Sequence, residues 1–294
     1  MNDVNILSPT ISPHNDLTEV IEYYNENILP ILDKINDYKL IYIGGIGVGK
    51  STIIKIILEI FKDLKPRVIH EYLEANKELG ETLLSAFIKK QISPTTFQHA
   101  ILDIYEEQLE NIYNKNENVN ENINKSISVT SMRNKENDKN ENVKLTIYER
   151  IPDDNLTIFS NLSCKNNEIS LSSFNDLYLR TIELDKKYSL PSYLIKSPTT
   201  KFIKITSTGI LDLTLLTLQI IKNDILSGTK CRIIGLSANI DICKFHIRRR
   251  HRKDENKYSD EYLNSIVKTY NNLYSVIEKN NYNINLLNIG QFVN

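Results

Sequence analysis

The sequence has no tryptophan, two methionines, three cysteines and only nine glycines among its 294 residues. The cysteines, Cys164, Cys231 and Cys243, are odd in number and scattered, which excludes a disulfide framework and a cysteine-based zinc spacing and points to a reducing compartment. Five histidines are equally dispersed, with no pair at metal-ligand spacing. No apolar run reaches the ~18–20 residues of a membrane span. The longest, from Ile210 to Ile221, carries Asp212. The beginning lacks a basic-then-apolar signal, with Asp3 where a leader wants Lys or Arg. A net charge of −1 gives no global field to recruit nucleic acid or an anionic membrane. The expectation is a cytoplasmic protein, with a core large enough for one domain and with neither nucleic acid nor membrane as partner.

Scarce glycine makes its clustering informative. Gly44, Gly45, Gly47 and Gly49 lie in Gly44-Gly45-Ile46-Gly47-Val48-Gly49-Lys50-Ser51, which fits G-x-x-x-x-G-K-[ST]. The β-prone run Leu40-Ile41-Tyr42-Ile43 precedes it, and a helical pattern from Thr52 to about Phe61 follows. Strand, glycine turn and helix are the context a phosphate-binding loop requires. Glycines let backbone N–H groups converge on phosphate oxygens, and the helix N-terminus adds partial positive charge. Residues 44–52 are thus the candidate ATP-phosphate site. Lys50 is expected to reach the β- and γ-phosphates and Ser51 to help hold Mg²⁺.

Around this loop the chain alternates strand and helix patterns, which predicts an α/β fold: a P-loop-type, parallel, five-stranded sheet flanked by helices. Residues 1–15 read as a loose tail and 16–294 as one domain. Asp16 to Asp37 is helical up to an interruption at Pro30. Arg67-Val68-Ile69-His70-Glu71 is a short strand ending in a carboxylate, and ligands of open α/β sheets bind at such ends. Leu73 to Lys90 reads as one helix, and a second starts at Ser93-Pro94-Thr95. Residues 114–143, rich in Asn, Lys and Glu, have too little apolar surface to order themselves and read as a disordered insertion. The strand over 143–150 ends in Glu149-Arg150, and an acid at a strand end near a P-loop suits the Mg²⁺ side of the site. Pro152 opens a helix containing Ile158 and Phe159. Residues 163–207 are the hardest to read, with an extra strand possible over 201–205. Asp212 to Ile225 is helical, 231–236 is a buried strand, and the arginine run Arg248-Arg249-Arg250-His251-Arg252 predicts a lid over 246–257. A long amphipathic helix (260–280) and a last strand (284–289) complete the chain.

Taken in order, these motifs resemble the deoxynucleoside kinases, and within them the virus-encoded thymidine kinases of the herpesvirus type. The resemblance covers most of 39–290, apart from the insertion and 163–207. It implies a general base at Glu71, followed here by Tyr72 rather than the family's proline. It implies a base-edge contact from Gln98, after Phe97, and stacking of the nucleobase on Phe159. The acid–Arg motif falls on Glu149-Arg150, with Arg150 steadying Glu71 and the 5′-oxygen and with Glu149 joining Ser51 on Mg²⁺. The lid pattern R-x-R-x-x-E falls on Arg250, Arg252 and Glu255, the last contacting the sugar 3′-hydroxyl. The implied reaction is transfer of the ATP γ-phosphoryl group to the 5′-hydroxyl of a deoxynucleoside, thymidine first, and the implied assembly is a homodimer. Three positions depart from the pattern. Phe87 stands for a sugar-binding Tyr, His246 for a lid Arg, and Asn155 for a charged residue that accepts cytosine in some cellular members. The alternatives are a thymidylate-type monophosphate kinase and a non-catalytic nucleotide binder. A GTPase is disfavoured because Asn134-Lys135-Glu136-Asn137 lacks the Asp of a guanine reader.

Overall fold

The computed structural model describes residues 17–125, 144–193, 200–206, 209–250, 252, 254–279 and 284–288. The expected tail and most of the expected insertion lie outside them. Six strands form one parallel sheet: β1 (Tyr38–Gly44), β2 (Arg67–Ile69), β3 (Leu145–Glu149), β4 (Thr200–Thr206), β5 (Cys231–Ser237) and β6 (Ile284–Asn288), in the order β2-β3-β1-β5-β4-β6. The five strands expected from the sequence are present. The extra strand over 201–205 also forms, and it lies inside the sheet, between β5 and β6, where Phe202, Ile203 and Ile205 are buried.

The helices are α1 (Leu17–Asn27), α2 (Lys50–Ile60), α3 (Tyr72–Ala75), α4 (Lys77–Ile88), α5 (Pro94–Lys125), α6 (Pro152–Asp154), α7 (Asn161–Lys165), α8 (Leu171–Lys187), α9 (Ile210–Ser227), α10 (Ile240–Arg250) and α11 (Asp260–Lys279). None is long and apolar enough to cross a membrane, among the described residues. Alternate strand residues feed two cores, as a sheet covered on both faces requires. Ile41, Ile43, Tyr148 and Ile233 pack with α5, α8 and α11, whereas Leu40, Tyr42, Ile147 and Ile234 pack with α1, α2 and α9.

Three elements differ from the sequence reading. The helix expected over 73–90 is split at Asn76, which leaves helical backbone angles and caps α4 by accepting from Leu79 N at 3.1 Å. Helix α5 runs on to Lys125, into the stretch from 114 expected to be disordered, because a helix already nucleated and packed at Phe97–Leu109 extends without a new nucleation cost. The helix opened by Pro152 becomes a π-helical turn over Asn155–Ser160 before α7 resumes. There Ser160 Oγ donates to the Asn155 carbonyl at 2.9 Å and Thr157 Oγ1 to that of Asp153 at 2.7 Å. Such turns recur at functional sites.

Below the sheet, away from the P-loop, Asp224 on α9 accepts from Tyr38 Oη (2.8 Å) and from Arg232 Nε (2.8 Å) and Nη2. Both charged side chains are at least nine-tenths buried. Asp224→Asn is expected to destabilise the fold by about 3–5 kcal/mol, because it strands a buried guanidinium. Urea unfolding checks this, and a loss below about 1 kcal/mol, the value of a surface pair, would count against it.

Candidate active site

The P-loop joins β1, the middle of the sheet, to α2. Gly47 has φ +81°, and a Cβ there would lie 2.5 Å from the Cys243 carbonyl oxygen of α10. Glycine therefore lets α10 approach the loop. His246, at the position where the resemblance expects Arg, donates through Nδ1 to the Gly47 carbonyl at 2.7 Å, so α10 is tied to the loop itself. Lys50 is buried and donates to the carbonyls of Gly44 (3.1 Å) and Gly45 (3.0 Å). Burial first, then repulsion from Arg150, pushes its pKa down to about 8 against the pull of Glu71 and Glu149. Ser51 Oγ donates to Glu149 Oε1 at 2.5 Å.

Helix α5 braces the two neighbouring strand ends. Gln108 brackets His70 through both backbone groups, accepting from its N–H at 2.9 Å and donating to its carbonyl at 3.0 Å. Tyr105 Oη donates to the Glu149 carbonyl at 3.2 Å. The next residue after each braced strand end is one of the candidate site residues. Glu71 follows β2, and Arg150 follows β3 with its backbone in the left-handed region at φ 69°. That conformation is costly for a non-glycine residue. It turns the side chain out of the strand's alternation, and Arg150 Nε lies 3.3 Å from Glu71 Oε2 with the guanidinium 4.9 Å over the Phe159 ring.

Glu71 is 7% exposed. Burial alone would raise its pKa, but Arg150, Lys50, Arg252 and Arg250 together outweigh it and bring the carboxyl down to about 2. Arg252 Nη1 is 3.4 Å from both Glu71 Oε1 and Glu255 Oε1, and Arg250 Nη2 is 3.3 Å from Glu255. Burial pushes the Glu255 carboxyl up, with Arg250 and Arg252 opposing.

Most of these groups open onto one cleft. Lys50, Glu71, Arg150, Arg250 and Glu255 supply its charge. Tyr72, Phe97, Tyr105, Phe159, Tyr258 and Tyr262 supply apolar wall. Of the residues singled out from the sequence, Ile46, Gly47, Lys50, Glu71, Arg150, Phe159, Arg250 and Glu255 line the cleft, whereas Ser51, Glu149 and Arg252 do not. Phe97 lines the cleft but Gln98 does not; Gln98 is 2% exposed, and its Oε1 has no hydrogen-bond partner. Asn155 donates through Nδ2 to the Gln98 carbonyl at 3.1 Å. Phe87 stacks on Phe97 with centroids 4.4 Å apart, a packing role that the absent hydroxyl permits.

Sequence reasoning missed Asp154, Gln108 and the two tyrosines Tyr105 and Tyr258 as parts of the site. Only Asp154 left a signal, a carboxylate just beyond the Glu-Arg pair. It lines the cleft, is 1% exposed, and accepts from Tyr193 Oη at 3.0 Å. Burial lifts its pKa from 3.8 to about 7 against the opposing Arg150 charge. A carboxyl whose folded value is raised stabilises the fold below its unfolded value, and that stability is lost as pH rises from ~4 through ~7. Asp154→Asn is therefore expected to stabilise the protein at pH 8 by an amount on the order of 2–4 kcal/mol relative to its effect at pH 4. Denaturant unfolding at the two pH values checks this, and an equal effect at both would contradict it.

No family model matches the chain, and no curated protein matches it. Solved structures do match. The deoxyadenosine kinase from M. mycoides with bound dATP aligns at TM-score 0.45 and 16% identity, covering 85% of this chain and 90% of that chain. The same enzyme with products dCMP and a flexible dCDP aligns at 0.45 and 16%, over 87% and 92%. With bound dCTP it aligns at 0.46 and 16%, over 85% and 89%. Identity of this order and TM-scores below 0.5 leave the function to be read from the cleft. The chain is an α/β protein with a P-loop at the centre of a parallel sheet and a cleft in which a buried carboxylate faces three arginines and the P-loop lysine.

Proposed function

We propose that the protein is an ATP-dependent deoxynucleoside kinase that transfers the γ-phosphoryl group to the 5′-hydroxyl of its acceptor. The observation that carries this reading is the placement of Glu71. Its carboxyl, held low by the surrounding cations, is paired with Arg150 and Arg252 and shares one cleft with Lys50 and an aromatic wall. Glu71 accepts the hydroxyl proton as the oxygen attacks phosphorus. Arg150 holds the carboxylate and the 5′-oxygen region. Backbone N–H groups of residues 44–52 and Lys50 hold the donor phosphates. Arg250 and Arg252 neutralise charge on the migrating group and help exclude water.

The residues present fit a magnesium ion. Glu149 Oε2 is buried with no hydrogen-bond partner, and with the Ser51 hydroxyl it offers the hard oxygen donors that Mg²⁺ prefers. Held there by Ser51 and Glu149 together with ATP, the ion would supply positive charge against the donor phosphates.

Thymidine is the first acceptor on this reading. Gln98 is buried directly after Phe97 and outside the cleft lining; this reading requires its amide to turn into the cleft, where Oε1 would accept from thymine N3–H and Nε2 donate to O4, while Asn155 offers no carboxylate to select cytosine. Phe159, on the π turn, is the stacking partner, and Glu255 the 3′-hydroxyl contact. A homodimer and a cytoplasmic location fit the same reading. A panel of four deoxynucleosides plus thymidine monophosphate, with Mg·ATP, tests the assignment. Transfer to nucleosides supports it, transfer only to the monophosphate replaces it with a thymidylate-type kinase, and ATP binding without any transfer replaces it with a non-catalytic binder.

A further inference from the structure

Arg252 carries more carboxylate than the reaction needs. Besides Glu71 and Glu255, its Nη2 is held by Oε1 of Glu74, a half-buried residue of α3. That helix starts directly after Glu71, and Glu74 N donates to the Glu71 carbonyl at 2.9 Å. The lid touches the same region elsewhere. Together with Lys257, Ser85 of α4 helps lower the pKa of the Asp254 carboxyl, and Tyr258 lines the same cleft as Tyr72 of α3. One guanidinium edge is thus fixed to α3, and the other, Nη1, faces both Glu71 and Glu255.

Resting on the kinase reading above, we propose that Glu74 is a positioning residue: it latches the lid onto α3 and orients Arg252 so that its second edge addresses the reacting oxygens. Glu74 touches neither substrate and works only through Arg252. Because α3 is continuous with the general base, the latch makes lid closure and base placement one event. A guanidinium suits this task, since its planar fork serves two partners in fixed geometry where a lysine could not.

The test is a double-mutant cycle in the full-length chain, with Glu74→Ala, Glu74→Gln, Arg252→Ala and the combinations assayed under single-turnover conditions. Glu74→Ala is expected to lower the transfer rate about tenfold, within the coupling range of residues in direct contact, with nucleoside KM changed less than about twofold. Glu74→Gln, which keeps the acceptor oxygen but not the charge, falls between wild type and Glu74→Ala. In the Arg252→Ala background neither Glu74 variant slows transfer further. Equal losses in both backgrounds, or no loss in the first, would overturn the latch. A second readout does not need turnover. Amide hydrogen exchange across 246–257 in the presence of a non-hydrolysable ATP analogue should speed up in Glu74→Ala at unchanged thermal unfolding. If wild type transfers phosphate to no acceptor, the kinase reading fails by itself, and unchanged lid exchange in Glu74→Ala would still sink the latch.

Discussion

Glu71→Gln is expected to lower kcat by about 10²–10⁴, the usual value of a positioned general base, while leaving Mg·ATP binding intact. The glutamine keeps the shape and one acceptor oxygen but cannot take the proton. The site shows why the carboxylate is there in its ionised form. Burial opposes the charge, yet Arg150, Lys50 and Arg252 hold the pKa near 2. The corollary is that no acid limb from Glu71 appears in the pH–rate profile above about pH 4. Near-normal turnover in Glu71→Gln would contradict the assignment of the base.

Arg250→Ala is expected to cost more, about 10³–10⁵ in kcat, the range for a cation that meets the transferring phosphoryl group. The variant should still fold. Arg250 closes α10 at the cleft, and its partner Glu255 keeps Arg252 after the substitution, so no buried carboxylate is stranded. Rapid-quench measurement of the transfer step, with thermal unfolding as control, reads the effect. A loss under about tenfold with intact folding would remove Arg250 from the transition state and leave charge neutralisation to Lys50 and Arg252.

The parts of this site that were legible in the sequence are those whose chemistry is written in a few adjacent residues. The P-loop needs its glycines, lysine and serine at fixed spacing, and the strands β1, β3 and β5 end within a residue of Gly44, Glu149 and Leu236 as expected, whereas β2 stops at Ile69, two residues short of the expected end at Glu71. The lid arginines cluster within one stretch. What stayed hidden depends on distant partners. Arg252 and Glu74 are separated by most of the fold, and nothing near Glu74 marks it as a latch. Nothing in the sequence around Gln108 marks it as the residue that brackets His70. The π turn at Asn155–Ser160 is sustained by hydroxyls that bond backward to carbonyls, a pattern with no helical periodicity of its own. Strand β4 could be suspected from Phe202, Ile203 and Ile205, but its place between β5 and β6 is a matter of spatial order, which local pattern does not encode. The region after residue 163 hid helix α8 because its exposed side carries Leu171, Tyr178 and Leu179, which blurs the apolar stripe.

The most direct test of the central claim follows the label from γ-labelled ATP with Mg²⁺ into the four deoxynucleosides, for wild type and Lys50→Ala side by side. The expected result is label on a nucleoside 5′-oxygen, thymidine foremost, and its loss in Lys50→Ala. Label that stays on ATP or appears only as inorganic phosphate, with ATP still bound by the wild type, would contradict the account.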